Sequence, residues 1–359
     1  MLLLCLAASA SARGQSFDEI EARARAARDQ NHLEDAAALY RKALALRPDW
    51  AEGWWDLGTV LYDRDAYTDA AEALRKASQL NPQSDVAFAM LGLAEAKAGG
   101  DPKAALADND KGWRLGASKQ PDLRPVLLFT RGTLLLATGD FGLAQETLGA
   151  LVRDGVQTEE CLMALGESVL GIRPADLAPD ARDVVRQAGW AEHFAARRET
   201  REARNAYEAL AASAPRFHDV QFAYGRFLLE SHEDAKAVEA FQREIVNSPN
   251  HLLARLGIAG IQAVQDPAAG IPYAKQAVQL APHLAEAHYL LGLLLLNTGD
   301  FAAAIPELET AQRQAPRIAK VYFALGRAYS DAGRNEDAKR ARERFAKLTA
   351  EEKDHGPAH

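Results

Sequence analysis

Residues 54–82 read WWDLGTVLYDRDAYTDAAEALRKASQLNP, and this stretch decides the fold. Trp54, Leu57, Gly58 and Leu61 recur at helical spacing and fall on one face of a first helix. Ala70, Leu74 and Ala77 do the same for a second helix, with Thr68 or Asp69 expected as its cap and Pro82 as its stop. Small residues at Gly58, Ala70 and Ala77 let the two helices approach closely. A pair this short cannot bury both apolar faces alone, so it needs neighbours.

The neighbours are written in the same pattern. Gly58 to Gly92, Gly132 to Gly166 and Gly292 to Gly326 are each 34 residues apart, as are Pro48 to Pro82 and Pro282 to Pro316. The turn Thr138-Gly139-Asp140-Phe141 returns as Thr298-Gly299-Asp300-Phe301. A large residue, two others, Leu-Gly, a later Ala, a large residue and a closing Pro, at a period of about 34, resembles the tetratricopeptide repeat. The resemblance covers residues 17–348. It implies an all-α fold of about nine helix-turn-helix units stacked into a right-handed superhelical solenoid.

Outward from residues 54–82 the rhythm holds with two interruptions. Gly92 to Gly132 is 40 residues, which puts an insertion near Gly116–Pro121. Gly166 to Gly225 is 59, with Gly171, Pro174 and Pro179 breaking the pattern before an atypical helix over about 179–197. The organisation read from this is a leader at 1–16, an N-terminal stack at 17–170, an irregular segment at 171–197, and a C-terminal stack at 198–349. A polar helix from about 335 closes the second stack, and residues 350–359 read as a frayed tail. The leader MLLLCLAASASARGQS carries an apolar run and two small-x-small cleavage patterns but no basic start. It reads as a secretory signal, hence a periplasmic or secreted protein, with a cytoplasmic one as the alternative.

Composition narrows the function classes. The chain has 359 residues, 48% apolar, and a net charge of −8. The basic runs Arg197, Arg198, Arg201, Arg204 and Lys339, Arg340, Arg342, Arg344 are interleaved with Glu, as solvated helix faces are, so no nucleic acid is expected. No segment outside the leader reaches the roughly 18 apolar residues of a membrane span. Of the two cysteines, Cys5 lies in the leader and Cys161 in a helix, so no internal disulfide is expected after cleavage. The nine histidines are scattered, with neither a zinc spacing nor a phosphate loop nor a nucleophile elbow. The carboxylates show no apolar pocket to raise their pKa. No catalytic residue, metal or cofactor is expected, and the reading is a monomeric, non-enzymatic scaffold.

The resemblance also implies where binding occurs. In this family the first helices line a concave groove. Carried over position by position, the groove residues are Trp55, Thr59 and Tyr62; Phe129 and Thr133; Phe222 and Arg226; Arg255 and Gln262; Tyr289, Leu293 and Asn297; and Phe323 and Arg327. Rigid aromatics beside Arg suit a peptide or partner protein; the same aromatics could instead pack on the adjacent helix. Thr59, Leu93, Thr133, Arg226, Leu293 and Arg327 stand where the carboxylate-clamp type of this family has Asn, so that mode is not expected. A glycan or lipid ligand in the same groove is the alternative. Replacing Phe222 and Arg226 is expected to weaken capture without lowering the melting temperature.

Overall fold

The computed structural model describes residues 16–355; the leader lies outside them but for Ser16, as do residues 356–359. Among the described residues the chain is all-α, with nineteen α-helices and three short 3-10 turns. It divides into two compact units between Glu199 and Thr200.

Unit 1 is built from helix pairs. They are α1 (Phe17–Asp29) with α2 (Leu33–Leu46), α3 (Ala51–Asp63) with α4 (Tyr67–Leu80), α5 (Asp85–Lys97) with α6 (Pro102–Leu115), α7 (Leu123–Thr138) with α8 (Phe141–Arg153), and α9 (Glu159–Val169) with α10 (Arg182–Ala196). The helix expected over 179–197 is α10, and it packs along α9. Unit 2 opens with α11 (Thr200–Ser213). It continues with α12 (Val220–Glu230) and α13 (Asp234–Asn247), α14 (Leu252–Gln265) and α15 (Pro267–Leu280), α16 (Ala285–Asn297) and α17 (Phe301–Gln314), and α18 (Ala319–Asp331) and α19 (Asn335–His355). The closing helix thus runs past residue 349 and takes in part of the segment read as a tail.

Local chemistry sets the ends of these helices. Folding begins at Ser16, whose hydroxyl accepts from the Glu19 N–H while Glu19 returns a bond to the Ser16 N–H, a reciprocal cap. In the recurring Gly-Asp turns, Gly139 and Gly299 take φ of 82° and 84°, open to glycine without a side-chain clash. Asp140 and Asp300 then cap the next helix through Leu143 and Ala303. The α3–α4 turn differs from expectation. The second helix starts at Tyr67 with Ala66 before it, so neither Thr68 nor Asp69 caps it. In the α14–α15 turn a single residue does both jobs: Asp266 ends α14 and its side chain accepts from the Ala269 N–H.

The apolar faces meet as the spacing requires. Leu57, Leu61, Ala70, Leu74 and Ala77 are all buried between α3 and α4. A Cβ on Gly58 would lie 2.6 Å from Leu74, and one on Gly292 2.6 Å from Leu308. The tightest crossing is α9 on α10, where Gly166 faces the Val185 carbonyl and Gly189 faces the Leu162 carbonyl.

Candidate functional site

Four side chains of different chemistry do one job at the start of first helices. The Trp54 indole donates to the Pro48 carbonyl at 2.8 Å, and the Tyr322 hydroxyl to that of Pro316 at 2.9 Å. His288 Nε2 meets the Pro282 carbonyl at 3.0 Å, and the Arg255 guanidinium donates to that of Pro249. Each donor stands six residues after its proline, and each ties a first helix to the loop before it. This corrects the placement of Arg255. It is 7% exposed, it also donates to the His251 carbonyl and to Gln276, and it belongs to the buried leading position rather than the groove. The error came from the unit being one residue short. The missing residue is in the α14–α15 turn, after α14, so the open positions of α14 are Leu253, Leu256, Gly260 and Val264, which the expected set missed. The proline-plus-six spacing was the signal that could have found them.

In unit 2 the first helices α14, α16 and α18 touch one another in succession, whereas the second helices α13, α15, α17 and α19 make at most marginal contact with one another. The closely spaced layer is the inner one, so the first helices line the concave side of this unit. Several bonds run along that layer. Asn297 donates to the Ala263 carbonyl at 2.9 Å, Lys320 pairs with Glu286 at 2.8 Å and covers the Tyr289 ring at 4.6 Å, and Arg327 reaches Asn297 at 3.5 Å. Across the four first helices Phe222, Leu256, Tyr289 and Phe323 form one row, and Arg226, Gly260, Leu293 and Arg327 form the next. Large apolar side chains stay in water here: Leu253 is 55% exposed, Val264 87% and Phe323 53%. These three stand out because an exposed apolar set on one face marks a contact surface.

Phe222 behaves differently from Phe323. Its ring packs on Phe241 at 5.6 Å and His251 at 4.7 Å, so it is half core. Replacing it would lower stability, contrary to the expectation from sequence, and it is a poor probe of the groove. Arg226 lies 3.9 Å from Glu230.

The unit 1 positions do not join into one surface. Trp55, Tyr62 and Phe129 are half-buried against their own cores. The Thr59 and Thr133 hydroxyls bond back to the carbonyls of Asp56 and Thr130. Between them, Ala89, Leu93, Met163 and Glu167 are buried. The two insertions explain this. The 3-10 turn Ala117–Lys119 packs on α5 and α7, and the turn Pro174–Asp176 packs on α7. A half-open cavity of about 430 Å³ lies elsewhere in this unit, between α2 and α4 over Trp54, Leu57 and Leu61, and takes in none of the expected residues.

Two buried carboxyls correct the expectation that none would be perturbed. Burial, reinforced by neighbouring Glu95, pushes Asp108 up to about 6. Burial pushes Glu167 up to about 7 against the pull of Arg182. Unfolded carboxyls titrate near 4, so folding takes up protons between that value and about 7. The stability these groups contribute is complete below the unfolded value and is lost as pH rises through 6 and 7. The melting temperature is therefore expected to fall between pH 5 and 8, with Asp108→Asn and Glu167→Gln together flattening the profile in a thermal scan.

Asp219, Glu244 and His251 come within 4.8 Å of one another, the spacing of a metal site. Their bonds assign them otherwise. Glu244 is fully buried, and its oxygens accept from the N–H groups of Asp219 and Phe222 and from the Ser248 hydroxyl. A cation there would face the positive end of α12. His251 Nδ1 accepts from the Ala254 N–H, leaving Nε2–H for Asp219 at 2.6 Å. Burial pushes Asp219 up, but its bonds to His218 and His251 outweigh this and hold it at about 2. The cluster is a cap for α12 held from α13 and α14.

Paired helices whose first members line a common inner face define an α-solenoid repeat protein. The tetratricopeptide repeat family matches residues 21–85, 189–251, 262–319 and 319–351, more than half of the chain, and the protein belongs to that family. The long unmatched interval holds both insertions. No curated protein matches the chain significantly. Among solved structures it is similar to MamA 41-end from Desulfovibrio magneticus RS-1, at 22% identity over 48% of this chain and 96% of that one, with a TM-score of 0.43. It is similar also to another crystal structure of MamA protein, at 18% identity over 49% and 97%, with a TM-score of 0.44. At these scores the likeness decides nothing about this chain.

Proposed function

We propose that the protein is a non-enzymatic interaction scaffold that holds a polypeptide partner in the concave groove of unit 2. The observation that carries this reading is the exposure of Leu253, Val264 and Phe323 on the first-helix layer, beside half-buried Tyr289 and Leu256. Water-exposed side chains of this size cost solubility unless something covers them, and rigid aromatics rimmed by Arg are what partner surfaces enrich. The open, trough-like face supports a polypeptide over a lipid, which would call for a deep apolar tunnel.

The test is a pull-down from envelope extract with residues 17–359, read by mass spectrometry, against a Leu253→Ser, Phe323→Ser variant. Both residues are exposed, so the variant should melt within about 2 °C of the wild type, surface changes being worth little. A protein enriched by the wild type and lost with the variant is the expected result. If no captured protein depends on these two residues while circular dichroism shows the fold intact, the groove reading fails. Export belongs to the same proposal, supported by the apolar run and cleavage patterns before residue 16. N-terminal sequencing of the exported chain should begin between residues 11 and 17.

A further inference from the structure

Helical glycine is unfavourable, because it loses more backbone freedom on folding than any residue with a side chain. In unit 2 nearly every helical glycine has a local reason. A Cβ would meet Phe241 at 2.6 Å from Gly225 and at 2.8 Å from Gly257, Leu294 at 2.6 Å from Gly270, Leu308 at 2.6 Å from Gly292, and Arg342 at 3.3 Å from Gly326. Gly260 differs, since nothing lies within 4 Å of the Cβ it lacks. The folded chain gives this glycine no packing role, and it sits mid-helix on the open face of α14.

Its surroundings form a trough. Leu256 and Val264 stand one turn before and one turn after Gly260 on the same face, with exposed Leu253 beyond. Eight residues of helix separate the two banks by about 12 Å between Cα atoms, less once the side chains are counted. A helix with its side chains is about 10–12 Å across and does not reach the floor. An extended chain is narrower, with a backbone spacing of under about 5 Å to its neighbour. Along the trough the row is Arg226, Gly260, Leu293, Arg327. Charge in it occurs only at the ends. Arg226 lies near Glu230, while Arg327 is held by a long bond of 3.5 Å to neutral Asn297. The bank beside this row is Phe222, Leu256, Tyr289 and Phe323.

We infer that the occupant is an extended polypeptide segment, apolar in its middle and acidic at the end that meets Arg327, whose main chain crosses α14 at Gly260. This rests on the groove reading above and specifies its ligand. The apolar side chains of the segment lie on the Leu256–Tyr289–Phe323 bank, and its carboxylate pairs with the Arg327 guanidinium. A side chain at position 260 would occupy the space the main chain needs.

The test uses labelled 12-residue peptides and the full chain in fluorescence anisotropy. One set has an apolar centre and Asp or Glu at one end, a second the same centre with Lys or Arg, and a third is polar throughout. Acid-ended peptides should bind at least tenfold tighter than the other two sets, and Arg327→Glu should reverse the preference between acidic and basic ends. Gly260→Leu should weaken binding at least tenfold while its melting temperature stays at or above that of the wild type. A lower melting temperature for Gly260→Leu would show that the glycine serves folding, and unchanged affinity would show that no main chain crosses there; either overturns the inference. Basic-ended peptides binding equally well, and lost with the Leu253→Ser, Phe323→Ser variant, would sink this ligand and leave the groove reading standing. No binding by any set would remove this inference, while the pull-down continues to report on the groove by itself.

Discussion

Gly166→Ala should lower the melting temperature more than any other single methyl added to a helix here. The new Cβ would lie 1.9 Å from the Val185 carbonyl oxygen and 2.7 Å from its carbon. Those are backbone atoms, so no rotamer change relieves the clash, and α9 and α10 must move apart. Overpacking usually costs about 1–3 kcal/mol, and a backbone collision belongs at or above the top of that range. For a unit of this size that is roughly 10 °C. Gly189→Ala should match it, because its Cβ would lie 1.9 Å from the Leu162 carbonyl. The double variant should cost less than the sum, since one separation of the helices relieves both clashes. Gly142→Ala is the control: its Cβ meets nothing within 4 Å, and the change should raise stability by up to about 1 kcal/mol. A Gly166→Ala chain that melts within 2 °C of the wild type would mean that α9 and α10 do not cross this closely.

Glu244→Ala should cost about 3 kcal/mol or more, again close to 10 °C. The substitution leaves the Asp219 and Phe222 N–H groups without acceptors at the start of α12 and strips a partner from Ser248. Each buried donor left unmade costs about 1–3 kcal/mol. Asp219 cannot take over, because its carboxylate is turned to His218 and His251. Glu244→Gln keeps one acceptor oxygen and should lose about half as much. A thermal melt in which Ala and Gln are both neutral would show that solvent, not Glu244, satisfies the helix start. Acid should leave this network intact until the pH falls below about 4, because Asp219 is held at about 2. Its contribution is present above the unfolded carboxyl value and disappears as pH drops toward 2.

The groove divided along a clear physical line. Tyr289, Phe323 and Arg327 were legible from the 34-residue period and lie on the inner layer of unit 2. Arg255 was misplaced by one position because the short unit was aligned from its ends; its six-residue offset from Pro249 would have placed it correctly. Phe222 was read as a surface aromatic, yet Phe241 and His251 close over part of it, a matter of neighbours brought in from α13 and α14. Trp55 and Phe129 occupy the right sequence positions, but the insertion turns packed on α5 and α7 interrupt the surface between them. The cap by Glu244 had no local signal, since donor and acceptor come from different helices and are 22 and 25 residues apart.

By itself the sequence determined the helix pairs, their turns, the family and the faces that meet within a pair. Those features depend on a period of 3.6 residues and on small residues, caps and prolines acting within about 34 residues, so they are written locally. Only the tertiary structure decided which first-helix positions stay open to solvent, that unit 1 fills its inner face while unit 2 leaves Leu253, Gly260 and Val264 uncovered, and which carboxyls are buried. Exposure is a property of what other segments leave uncovered, and a repeat pattern specifies the face a residue occupies without specifying what lies against it.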